Sequence, residues 1–216
     1  MGGKYLVKRF VPLLLLYLAL INCSKVQIDF KDITVGVIPY KGISTRKIDL
    51  IAKAITDYYG VTVKVLPQQG IPIAAFVTIK SPRYRADSLI AIQERNIPEG
   101  VGYILGLTEK DISVTKHDKS GAIKSPEWRY NDFGVMGLAY CPGNSCVVSD
   151  FRLKSGNKEL QVTRFKKVVI HELGHNFGLP HCPDKRCVMT DAVESIKTID
   201  GAKPGLCAAC KSKLNI

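Results

Sequence analysis

The chain has 216 residues, 46% of them hydrophobic and 23% charged, with no low-complexity run or internal repeat. That length supports one sizeable core, or two small subdomains sharing a cleft, and the composition excludes a disordered chain and a solenoid. The formal charge of +12 draws the chain to acidic surfaces without specifying one.

Lys4, Lys8 and Arg9 precede VPLLLLYLALI, an uncharged apolar run that ends at Asn22 and Cys23. The run is about half of the roughly 20 residues that a membrane-spanning helix needs, so residues 1–22 read as an export signal. Its removal takes away three positive charges and no negative one, leaving +9. Leu20-Ile21-Asn22-Cys23 also resembles a bacterial lipobox, although Asn22 stands where a small residue is usual. Lipidation of Cys23, with membrane association through the lipid, and simple secretion both stand open. The expected location is the cell envelope or the exterior. Mass spectrometry of the mature N-terminus separates the two, and an unmodified Cys23 thiol sinks the lipid anchor.

From Ile33 onward, apolar runs alternate with amphipathic stretches. ITVGVIPY (33–40) reads as a buried strand. Ser44 is placed to cap a helix in which Ile48, Ile51, Ala52, Ile55 and Tyr59 recur at helical spacing before Gly60 ends it. VTVKVLP (61–67) is a second strand, FVTIK (76–80) is either a short strand or irregular, residues 84–96 are helical, and VGYILGLT (101–108) is strand-like. This order implies parallel strands with helices packed against them. GVMGLAY (134–140) and CVVSDFRL (146–153), separated by Pro142-Gly143-Asn144, read as a hairpin. Residues 159–177 form a helix ending at Gly178, followed by a compact, Cys-containing, turn-rich tail.

Three of the four histidines lie in HELGHNFGLPH, residues 171–181; His117 reads as a solvated loop residue. On a helix, His171 and His175 share one face a turn apart and can point at one ion. Gly178 can take the positive φ that reverses the chain and brings in His181 as a third ligand. Three imidazoles leave one coordination position open, as in a catalytic zinc site. Glu172 adjoins the first ligand and is placed to act as general base toward a water there, and then as acid toward the leaving amine of a peptide bond.

Written out, the tail reads HExxHxxGxxHCx4CxMx17CxxC and resembles the archaemetzincin signature at every specified position, most strongly over residues 164–210. The resemblance implies an α+β, metzincin-like zincin fold: a mixed twisted sheet with packed helices, an active-site helix and a small Cys-rich C-terminal subdomain, all within a domain spanning residues 30–216. It implies two zinc ions, the second held by Cys182, Cys187, Cys207 and Cys210. The spacing also suits this, because two thiolate pairs make a closed tetrahedral site with a structural role. The competing reading is oxidation of these cysteines to disulfides after export. Cys141 and Cys146 lie outside the signature and are the best disulfide candidates. Met189 falls where metzincins carry the Met-turn methionine, whose task is packing beneath the histidines. No tyrosine or histidine follows Met189 to assist the transition state.

The resemblance also suggests CVVSDFRL as the edge strand that aligns an extended peptide, in which case proline at Val147 or Val148 should damage turnover more than zinc content. Arg152, Lys154, Lys158, Arg164, Lys166 and Lys167 carry no interleaved aromatic ladder and read as a solvated helix face, with only charge behind nucleic-acid binding. The expected function is that of a zinc metallopeptidase acting on a peptide or protein substrate. The alternative is an envelope-anchored zinc-binding protein with little turnover, against which intact Glu172 argues.

Overall fold

The computed structural model describes residues 30–191 and 195–216, so the expected export segment and Cys23 lie outside the described residues. Among the described residues no helix is long and apolar enough to cross a membrane.

The chain begins with strand β1 (Thr34–Pro39), helix α1 (Thr45–Tyr59) and strand β2 (Thr62–Val65). Ser44 caps α1 by accepting from the Lys47 amide, and Gly60 closes it in the left-handed region at φ 69°. Two very short strands follow, β3 (Phe76–Val77) and β4 (Arg83–Arg85), then helix α2 (Ala86–Glu94), β5 (Tyr103–Thr108) and β6 (Ile112–Val114). A one-turn helix α3 (Glu127–Tyr130) leads to β7 (Phe133–Val135), β8 (Gly137–Ala139) and β9 (Ser145–Ser149). The last elements are the long helix α4 (Lys158–Asn176), α5 (Ile196–Gly201) and α6 (Ala208–Leu214).

The main sheet has the order β2-β1-β5-β9-β8, parallel except for the β8–β9 hairpin at one edge. Alternation along its strands sends Val35, Val37, Leu105, Leu107, Cys146 and Val148 into one core with residues of α1 and α4. Ile38, Ile104 and Val147 enter a second core with Leu89 and Ile90 of α2. The expected parallel sheet with packed helices is therefore present. A second sheet, β3-β4-β6-β7, is not expected from sequence as a sheet: β3 falls in FVTIK and β7 overlaps the start of GVMGLAY, whereas β4 and β6, three residues each, carry no readable period.

Three expectations need correction. GVMGLAY is two strands rather than one: the chain leaves the second sheet after Val135 and joins the main sheet at Gly137, with Met136 O accepting from the Ser149 amide at the crossing. CVVSDFRL stops being a strand at Ser149, where Asp150 turns into a single 3-10 turn, Phe151–Leu153. That strand is also not the edge. Fully buried β9 lies between β5 and β8, so the edge at this end of the sheet belongs to β8, with β2 at the other end.

The second sheet is tied to the first by buried charge. Asp111 accepts from Arg83 Nε at 2.9 Å and from both Arg152 Nε and Nη2, at 2.7 and 2.8 Å, while Asp132 accepts from Arg83 Nη1 at 3.2 Å. Arg152 lies so close over Gly134 that a Cβ there would sit 2.0 Å from its guanidinium. Glycine at this position lets β7 approach and form one wall of the cleft described next.

Candidate metal centres and the cleft beside them

Helix α4 starts where Asn157 Oδ1 accepts from the amides of Glu159 and Leu160, and it ends where Gly178 reaches φ 92°. The Gly178 amide donates to His175 O and the Leu179 amide to Gly174 O, both at 2.8 Å, which closes the helix and turns the chain back. This reversal carries His181 to the same place as His171 and His175, and the three offer nitrogen atoms within 4.8 Å of one another.

The ring orientations of the first two are set by backbone carbonyls. His171 Nδ1 donates to Val188 O at 2.8 Å and His175 Nδ1 to Leu179 O at 2.7 Å, because a carbonyl can only accept. Burial also holds His171 down to about 4 and lowers His175, so both rings are neutral near pH 7. Their Nε2 atoms then face each other as bare lone pairs at 3.0 Å. Two lone pairs at that distance repel unless they share a cation, and tetrahedral zinc with bonds of about 2.0 Å would set them about 3.3 Å apart. The donor set fits zinc.

Cys182, Cys187, Cys207 and Cys210 form a second cluster, with sulfurs also within 4.8 Å of one another. Cys182 and Cys207 are 3.7 Å apart and Cys187 and Cys210 3.8 Å. Those separations are far beyond a disulfide's ~2.05 Å and match the ~3.8 Å edge of a tetrahedron with metal–sulfur bonds of about 2.3 Å. Cys207 precedes α6, and the Cys210 amide helps hold its thiol down to about 7, whereas burial raises the thiols of Cys187 and Cys210. The geometry supports chelation over oxidation. Cys141 and Cys146 form no disulfide, contrary to expectation: Cys146 is wholly buried in the core against α4, whereas Cys141 is exposed on the hairpin turn.

Met189 packs beneath the active helix, where a Cβ on Gly174 would lie 2.4 Å from its Sδ. The cysteine cluster and this turn are continuous with the histidines, since Val188, between Cys187 and Met189, supplies the carbonyl that orients His171. His117 is exposed and takes no part.

Glu172 is buried, which pushes its carboxyl up to about 8. It lies against the edge strand, and a Cβ on Gly137 would fall 2.6 Å from Glu172 Oε1. Gly137 was not among the residues singled out from sequence, although a glycine inside an apolar strand marks a close approach. Glu172 and the three histidines line a cleft of about 290 Å3, walled by β7 and β8 on one side and by Val188, Ile199 and Ala202 on the other.

The cluster read as a solvated helix face is only partly solvated. Arg164 and Lys167 are 9% and 8% exposed. Helix α5 covers them: Arg164 holds Asp200 in a bidentate pair, both bonds 2.7 Å, and Lys167 Nζ donates to Ile199 O at 2.8 Å and Asp200 O at 3.4 Å.

Residues 30–216 match the model of peptidase family M54. The archaemetzincin of Methanopyrus kandleri is 32% identical over 77% of this chain and 85% of its own length. That of Haloquadratum walsbyi is 29% identical over 83% and 98%. The crystal structure of the Methanopyrus kandleri archaemetzincin superposes with a TM-score of 0.68 at 30% identity, covering 85% of this chain and 93% of that one. The archaemetzincin structure from Archaeoglobus fulgidus, complexed with malonate, gives 0.65 at 25% identity, covering 84% and 99%.

Proposed function

The chain belongs to peptidase family M54, the archaemetzincins, and is a zinc metallopeptidase; from that premise we propose that His171, His175 and His181 hold the catalytic zinc and that Glu172 is the general base of peptide-bond hydrolysis. The observation that carries this reading is the facing pair of bare Nε2 atoms, 3.0 Å apart, with Glu172 on the same helix. Zinc supplies Lewis acidity, polarising a peptide carbonyl and bringing the pKa of a water toward about 7.

The protein's own groups supply the rest. Val188 O and Leu179 O hold the two rings in the tautomer that leaves Nε2 free. Glu172, buried on the same helix as His171 and His175 and lining the same cleft, takes the proton of the attacking water and passes it to the leaving amine nitrogen. Strand β8 offers its unpaired edge along the cleft, so an extended peptide would align by adding to Gly137–Ala139. The four cysteines would hold a second, structural zinc, for which their sulfur separations speak. The test compares the native protein with Glu172→Ala by metal analysis and peptide-library digestion. Loss of cleavage at unchanged zinc content is expected, and equal cleavage by both forms would refute the role of Glu172.

A further inference from the structure

Lys167 lies on α4 one turn before His171 and two before His175, so helix geometry puts it on the face that bears the metal ligands. It lines the same cleft yet has no part in the chemistry above. Its ammonium carries three donors, and the structure gives it two backbone carbonyls, one of them at a marginal 3.4 Å. The adjacent carboxylate, Asp200, has both oxygens engaged by Arg164. The hydrogen bonds of Lys167 therefore go to dipoles at the end of α5 and not to a carboxylate; burial lowers its pKa, and the Asp200 charge that opposes this is shared with Arg164.

The surrounding wall is apolar, built from Val168, Val188, Ile199 and Ala202. Thr190 adds a hydroxyl that is buried without a hydrogen-bond partner. Among the described residues two carboxyl groups line the cleft: Glu172 follows His171 in the chain and Asp191 stands 4.0 Å from His181. Among the described residues the cavity thus joins a metal-ligand site to a buried cation whose hydrogen bonds go to backbone carbonyls and whose favourable charge, Asp200, is shared with Arg164.

We propose that this cavity receives a carboxylate of the substrate and that Lys167 is the residue that selects it. The inference rests on the peptidase reading of the site. The carboxylate would come either from an acidic side chain flanking the scissile bond or from the α-carboxylate of a peptide that ends in the cavity.

The test uses full-length, zinc-loaded protein carrying Glu172→Ala, so that bound peptide is not consumed. The immobilised protein is offered two peptide libraries, and retained peptides are counted by mass spectrometry. One library, blocked at both ends, varies Glu and Asp against Gln and Asn; the other varies a free C-terminal acid against its amide. Enrichment of one acidic class by about tenfold or more is expected, because a charge-assisted hydrogen bond would be gained. Lys167→Arg should keep the preference and Lys167→Met should bring it to within about twofold. Enrichment in the first library assigns the acidic side chain, and in the second the chain terminus. No enrichment in either library with Lys167 in place overturns the proposal, however the variants fold. Digestion of the same libraries by protein with Glu172 intact reads the other question. Cleavage without acidic preference sinks the selection by Lys167 and leaves the peptidase, whereas acidic enrichment without any cleavage sinks the peptidase reading and leaves the carboxylate site.

Discussion

Glu172 is buried against a glycine, and that close approach limits where its carboxylate can sit. A Cβ on Gly137 would lie 2.6, 2.7 and 2.9 Å from Glu172 Oε1, Cγ and Cδ, so any larger residue must displace the Glu172 side chain. Gly137→Ala should lower kcat/KM for peptides by about 100-fold, the lower end of what a positioned acid-base group contributes, with zinc content unchanged. Peptide turnover and metal analysis on the same preparation check it. Unchanged turnover would show that the carboxylate relocates freely. The sequence signal for this residue was a glycine in an otherwise apolar run, visible but ambiguous, because nothing in the run tells which neighbour comes close.

Helix α5 is a short element held by the side chains of a long one. The bidentate Arg164–Asp200 pair and the Lys167 ammonium fasten it to α4, and through it the far wall of the cleft. Arg164 holds the Asp200 carboxyl below the ordinary carboxylate range. A group with a depressed folded pKa contributes stability that is present above its unfolded value, near 3.9, and lost as pH falls through the folded one. Asp200 is about one-third exposed, so the pair is worth at most about 1 kcal/mol, or 2–4 °C in Tm for a chain of this size. Asp200→Asn should therefore melt a few degrees below the native protein at pH 7, with the gap shrinking below pH 4 toward zero. Melting curves of both proteins from pH 7 to pH 3 read this directly. A gap that stays constant with pH would place the effect elsewhere.

At the scale of the whole molecule the two candidate metal centres share one core. Cys187 and Cys210 are buried in the same cluster as Val148, Leu173 and Met189, and Val188 connects the cysteine loop to His171. A metal bound at free concentrations 1,000 times its Kd stabilises the fold by about 4 kcal/mol, or about 10 °C in Tm here. Chelation of both sites should lower Tm by at least that much and expose four reactive thiols at Cys182, Cys187, Cys207 and Cys210. Cys210→Ser should do the same to Tm and weaken zinc retention at the histidines as well. Differential scanning calorimetry, thiol titration and zinc content test it; thiols that stay blocked after chelation under denaturing conditions would point to disulfides instead.

Much of this is legible in the sequence alone. Helix α4, its glycine stop and the spacing of three histidines, one glutamate and four cysteines are local patterns, since period 3.6 and a positive-φ glycine act over a few residues. The parallel sheet was readable for the same reason, from apolar runs long enough to carry a pattern. Only the tertiary structure decided that β8, not β9, is the open edge, that Met136 divides one apolar run between two sheets, and that Arg164 and Lys167 are covered by α5. Those outcomes depend on which distant segment packs where. The charge of Lys167 is a property of the sequence; its burial beside the cleft is a property of the fold.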